Sequence, residues 1–172
     1  MYATEPWSGH YSIQPTMYIV AHYTQFIQPG CRYVSVAATA RQGFLAADVS
    51  IVALSCTPSA PDAPYITMII ESMNADAPVA AVISLANLPL TVPSLVLFTT
   101  NETNWFARQP SVVVTSGSVR LTILPQTMYS LTSSYRGQGS IPANPIPPSK
   151  GFPLPYTDDF EVRRPPCLCG TG

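Results

Sequence analysis

Val119-Arg120-Leu121-Thr122-Ile123 puts three apolar residues on one side of an extended chain and two polar ones on the other. That period of two is the pattern of a strand with one face in a core and one in water. Apolar stretches of similar length recur at 32–37, 49–55, 65–73, 79–85, 94–100, 111–115, 118–124 and 127–133, with turn-forming residues between them. Seven or eight short strands at such spacing predict an antiparallel β-sandwich. Ahead of them, residues 2–5 read as the end of a strand, 6–14 as a loop, and 17–26 as a short helix that stops before Pro29-Gly30. Residues 57–64 hold three prolines and read as a loop. From Gly137 onward, Pro142, Pro145, Pro147, Pro148, Pro153 and Pro155 interrupt any hydrophobic period and predict a stiff, extended connector. No internal repeat points to a solenoid or propeller.

Composition agrees with a β fold. The chain has 172 residues, 47% hydrophobic and 10% charged, enough apolar material for a core of ordinary size. Nineteen prolines oppose long helices, and nine tyrosines favour pleated surfaces. A net charge of −1, with eight basic residues and no basic run, gives no electrostatic footprint for nucleic acid. No apolar run reaches the roughly 18–20 residues of a membrane span, and Met1 to Gln14 lacks the basic start and apolar middle of a signal peptide.

The candidate chemistry is concentrated near the start. Glu5-Pro6-Trp7-Ser8-Gly9-His10-Tyr11 combines a flat indole with hydroxyl, imidazole and phenol groups, the mixture of apolar faces and hydrogen-bonding edges that a pyranose ring engages. Ala21-His22-Tyr23-Thr24-Gln25-Phe26 and Gln28-Pro29-Gly30 follow. His22 and Gln25 stand three apart, on one face of the predicted helix, where a satisfied buried pair is the commoner role than metal binding. Cys31, Cys56, Cys167 and Cys169 lack zinc-like spacing, and no disulfide pairing among them can be assigned. Asn101-Glu102-Thr103 is a glycosylation sequon in a polar, turn-like stretch. No cofactor motif and no metal-ligand cluster stands out.

In order and composition, the Glu5 to Gly30 block resembles the galactocerebrosidase (galactosylceramidase) family of lysosomal glycoside hydrolases. Ile69-Ile70-Glu71-Ser72-Met73, Tyr129-Ser130-Leu131-Thr132, Arg136-Gly137-Gln138-Gly139 and Pro153 to Phe160 resemble it too, at the family's relative spacing. The resemblance implies that residues 1–30 are the last strand, loop and helix of a (β/α)8 barrel, that 31–136 form a β-sandwich, and that 137–172 are a Pro-rich linker with an atypical tail. It implies cleavage of the β-galactosyl bond of galactosylceramide, a lysosomal or secreted location, and a lipid-presenting activator protein as a further partner.

Retaining glycosidases use two carboxylates about 5–5.5 Å apart. By the resemblance that pair belongs to sequence upstream of Met1, so the chain alone is expected to be inactive and to contain no catalytic residue of its own. Glu5, the only acidic residue among the first 47, reads as structural. Trp7, His10 and Tyr11 are the expected substrate contacts, with Ser8 beside them, and Asn101 the expected glycan site. Arg136 reads as structural, and adjacent Asp158 and Asp159 point to opposite faces of an extended chain. The region where the family sends an arginine toward galactose aligns with Ala86-Asn87-Leu88-Pro89-Leu90, which has none. A second reading is a non-catalytic carbohydrate-binding or glycolipid-binding sandwich using Trp7, Trp105 and Phe106 as exposed aromatics.

Overall fold

The computed structural model describes residues 2–35, 49–57, 63–86, 91–134 and 146–157, together with the backbone of 37–40. They fall into two compact units, one of Ile13–Asn144 and one joining Met1–Ser12 to Pro145–Gly172.

Among the described residues, the larger unit is a single antiparallel sheet of nine strands. Along the chain these are β1 (Cys31–Tyr33), β2 (Ala37–Ala40), β3 (Ser50–Cys56), β4 (Tyr65–Glu71), β5 (Val79–Ser84), β6 (Ser94–Thr100), β7 (Ala107–Thr115), β8 (Ser118–Ile123) and β9 (Met128–Thr132). In space their order is β1-β3-β4-β9-β6-β7-β8-β5-β2. The sheet is folded at β7, which pairs with β6 over most of its length and with β8 through Val114 and Thr115. Both halves therefore line one core. Ile66, Met68, Leu95 and Leu131 enter it from one side of the fold and Ala81, Ile83, Val119 and Ile123 from the other. Such a folded sheet is the sandwich that the strand pattern predicts.

Local sequence explains most of the elements. Val119 and Ile123 are buried and Arg120 and Thr122 exposed, as the alternation requires. The β7–β8 hairpin turns through Ser116 at φ 50° and Gly117 at φ 68°, and two consecutive positive φ values are what a tight hairpin needs and a glycine supplies. β7 starts earlier than the expected 111 because Pro110, which cannot donate to a ladder, sits where the register with β6 shifts between Leu95 and Leu97. The expected strand over 32–37 divides into β1 and β2. The Ala-Ala-Thr-Ala of β2 has no large apolar side chain to announce it, and it is held by pairing with β5.

The helix α1 (Pro15–Thr24) lies over the outer face of β6 and β9. It begins two residues before the expected start because Pro15 and Thr16 fit its first turn, where a proline lacks no bond it would otherwise make. Phe26, just past its end, packs at a tilt on Phe98 of β6 and stacks with Phe106. Phe106 is therefore a correction to the reading of it as an exposed ring: it is 8% exposed, because its N–H bonds Thr100 Oγ1 and its ring lies nearly parallel to Phe98 at 5.0 Å. β1 and β3 are also joined covalently, by a disulfide between the paired residues Cys31 and Cys56.

Candidate functional site

Tyr2 and Ser12 close the base of the N-terminal loop by exchanging both backbone hydrogen bonds, at 3.0 and 2.8 Å. Within it, Pro6–Ser8 form one 3₁₀ turn, whose first position suits a proline. Gly9 ends the turn at φ 73°, a conformation that strains other residues, and donates its N–H to the Pro6 carbonyl. Ser8 is occupied within the turn: its hydroxyl donates to the Glu5 carbonyl at 2.7 Å and accepts the His10 N–H at 3.1 Å. With that proton committed to Glu5, Ser8 is arranged to shape the loop and not as a nucleophile with His10 as its base.

Residues 146–157, some 140 positions later in the chain, run against this loop within the same unit. The Trp7 Nε1–H donates to the Lys150 carbonyl at 2.8 Å, and the ring meets Phe152 edge to face at 5.3 Å. Phe152 in turn meets Tyr156 edge to face at 5.2 Å. His10 Nδ1 lies 2.8 Å from the Pro147 carbonyl. A carbonyl can only accept, so Nδ1 carries the hydrogen and the neutral ring has Nε2 free of a proton, as an acceptor. Ser149 Oγ donates to Glu5 Oε2. Trp7 remains 48% exposed, so the ring face and not the committed N–H is what a ligand would meet. Tyr11 is half-buried in the same loop. The structure thus brings Glu5, Trp7, Ser8, His10 and Tyr11 into one loop and adds Pro147, Ser149, Lys150 and Phe152, which sequence reasoning missed. The only available signal was that both segments are rich in proline and aromatics.

His22 occupies a different environment. It is fully buried between α1 and the sheet, with Nδ1 2.8 Å from Ser130 Oγ, Nε2 2.8 Å from Thr100 Oγ1, and its ring edge-on to Phe106. Ser130 Oγ also donates to the His22 carbonyl, and Thr100 Oγ1 already accepts the Phe106 N–H. One arrangement satisfies every group: Nδ1–H donates to Ser130, and Thr100 O–H donates to Nε2. Burial holds the His22 pKa down at about 4, against 6.5 ordinarily. Gln25 does not pair with it; it caps the helix, its N–H bonding the Ala21 carbonyl.

Asn101 lies in the turn between β6 and β7 and accepts at Oδ1 from the Thr103 and Asn104 backbone N–H groups and from the Thr103 hydroxyl. Trp105, 45% exposed, packs on Tyr18 of α1 at 5.4 Å. Arg136, residues 87–90, Asp158, Asp159, Cys167 and Cys169 lie outside the described residues. Among those described, no helix is long and apolar enough to cross a membrane.

No protein-family model matches the chain. It is similar over 96% of its length to galactocerebrosidases, at 29% identity to that of Salmo salar, 31% to that of Homo sapiens and 32% to that of Mus musculus. The chain spans 26% of the length of these relatives. The resemblance first carried by the Glu5 to Gly30 block therefore runs through nearly the whole chain. Among solved structures, a family 30 glycoside hydrolase endoxylanase from Clostridium papyrosolvens has the same fold over 72% of this chain and 28% of its own, at a TM-score of 0.56 and 20% identity. A family 30 subfamily 8 xylanase from Clostridium acetobutylicum matches 70% of this chain and 28% of its own, also at 0.56, with 15% identity.

Proposed function

We propose that this chain is the portion of a galactocerebrosidase-like retaining glycosidase that carries one substrate-contact loop and the β-sandwich beside the catalytic barrel. On this reading residues 1–30 are the end of the barrel, 31–136 the sandwich and 137–172 the linker and tail. The whole enzyme would hydrolyse the β-galactosyl bond of galactosylceramide in sphingolipid breakdown, in a lysosomal or secreted setting, with a lipid-presenting activator protein as a further partner. The observation that carries the reading is the half-exposed Trp7 in a loop whose His10 is anchored through Nδ1 to the Pro147 carbonyl, in a chain similar to galactocerebrosidases over 96% of its length. Trp7 would stack on the apolar face of galactose, His10 Nε2 would accept a sugar hydroxyl, and Tyr11 would add a phenol that donates or accepts.

Glu5 is the only carboxylate among residues 2–12 and accepts from Ser149, and on this reading general acid and nucleophile would both come from other parts of the enzyme. The 172-residue chain is expected to show no turnover of a chromogenic β-galactoside. Activity that disappears in Glu5→Gln would overturn the reading. The half-exposed Trp7 and Trp105 support a second one, a non-catalytic carbohydrate-binding or glycolipid-binding sandwich. Galactoside titration followed by tryptophan fluorescence separates the two sites: Trp7→Phe should abolish the response if the N-terminal loop is the contact, and Trp105→Phe if the sandwich is.

Asn101 is the proposed glycan site. Its Oδ1 accepts hydrogen bonds from Thr103 and Asn104 within the turn, and Glu102 and Thr103 are exposed. Secretory expression should give a chain that Asn101→Gln or glycosidase treatment shifts to lower apparent mass. Equal mobility of both forms would remove this assignment.

A further inference from the structure

Three hydrogen bonds and a ring contact tie the loop of residues 5–10 to the segment 147–152. Trp7 Nε1 is held by the Lys150 carbonyl, His10 Nδ1 by the Pro147 carbonyl and Glu5 Oε2 by Ser149, while Phe152 packs against Trp7. None of these partners is near the loop in sequence, and two of them are backbone carbonyls, whose positions depend on the path of the whole segment. Prolines at 147, 148 and 153 restrict that path, which lowers the entropy lost in holding the carbonyls in place.

We propose that the segment 147–152 is a positioning clamp for the sugar-contact loop: it selects the Nδ1–H form of His10, so that Nε2 faces the ligand as an acceptor, and it fixes the plane of Trp7. Ser149 and Phe152 are then positioning residues, acting through Glu5 and Trp7. The inference rests on the reading of this loop as a galactoside contact for its purpose, but not for its geometry. A neutral imidazole in water favours the opposite tautomer, so a clamp that selects the Nδ1–H form changes which sugar hydroxyls the ring can recognise.

The test uses the full 172-residue chain. Histidine 15N chemical shifts at neutral pH, assigned to His10 by their loss in His10→Gln, should show the Nδ1–H tautomer. In Ser149→Ala/Phe152→Ala they should move to the Nε2–H pattern. In a Trp105→Phe background, acrylamide quenching of Trp7 should rise about twofold in the same variant, as a ring now 48% exposed becomes fully so. An unchanged β-sheet circular dichroism spectrum confirms that the variant is folded. Ser149→Ala alone, predicted to shift the tautomer partway, serves if the double variant is not. Nε2–H in the parent chain, or a tautomer and quenching constant that the variants leave unchanged, would overturn the clamp. A tautomer shift with no β-galactoside binding by the parent chain would uphold the clamp and reject the sugar reading. Binding with no tautomer shift would do the reverse.

Discussion

His22→Ala should lower the stability of the larger unit by about 3 kcal/mol, a fall in melting temperature of roughly 10 °C for a chain of this size. The ring is fully buried, and its removal leaves Ser130 Oγ and Thr100 Oγ1 without the partner each now bonds at 2.8 Å, beside a space that α1 and β9 cannot close without moving. His22→Gln can donate to one hydroxyl and accept from the other, so it should recover part of the loss. The same residue sets a pH dependence. The folded chain holds His22 at about pKa 4, whereas the unfolded chain titrates it near 6.5. Above pH 6.5 the ring is neutral in both states and the full stability is present. As pH falls from 6.5 to 4 the unfolded chain takes up a proton that the folded chain refuses, and stability is lost, by at most about 3 kcal/mol from this group. Chemical denaturation at pH 7 and pH 5 is the measurement. The parent chain should lose stability across that interval by clearly more than His22→Gln does, and parallel losses in the two proteins would contradict the assignment.

Removing the disulfide has an effect of similar size. Cys31 and Cys56 are 25 residues apart in sequence, and closing a loop of that length in the unfolded chain stabilises the folded state by about 3.5 kcal/mol on the chain-entropy account. Cys31→Ser/Cys56→Ser, or reduction of the parent chain, is therefore expected to lower the melting temperature by about 10 °C. Fraying should begin at β1. That strand is three residues long and at the edge of the sheet, and apart from its ladder to β3 it is anchored near Tyr65, whose hydroxyl bonds the Phe26 carbonyl. Hydrogen exchange should accordingly quicken at residues 31–33 and 54–56 before it does in β4 and β9, which are buried along almost their whole length. Melting that is indifferent to reductant would show that the bond does not form in solution.

Both of these groups stand in the sequence as isolated letters. His22 and Gln25 share a helical spacing that suggests a helix and a buried pair, but only His22 is buried, Gln25 caps the helix, and the partners of His22 are 78 and 108 residues away on β6 and β9. The four cysteines allow several pairings, and only the register of β1 on β3 brings Cys31 opposite Cys56. The candidate loop divides in the same way. Its membership, from Glu5 to Tyr11, was legible because the residue types and their order are rare. What holds it was not, since its partners Lys150 and Pro147 contribute carbonyl oxygens that every residue carries.

Trp105 and Phe106 are neighbours of similar character, yet one is 45% exposed and the other 8%, because the backbone of Phe106 turns to positive φ and drives its ring under α1. No local pattern encodes that. Period-two alternation, proline placement and turn residues act over a few bonds, and so they already mark this chain as a set of short antiparallel strands with one early helix and a loop dense in aromatic and hydrogen-bonding residues. Which faces meet, which cysteines join, what surrounds His22 and which carbonyls orient Trp7 and His10 depend on contacts between residues far apart in the chain, and those were decided only when the sheet folded over at β7 and the N-terminal loop met the segment around Lys150.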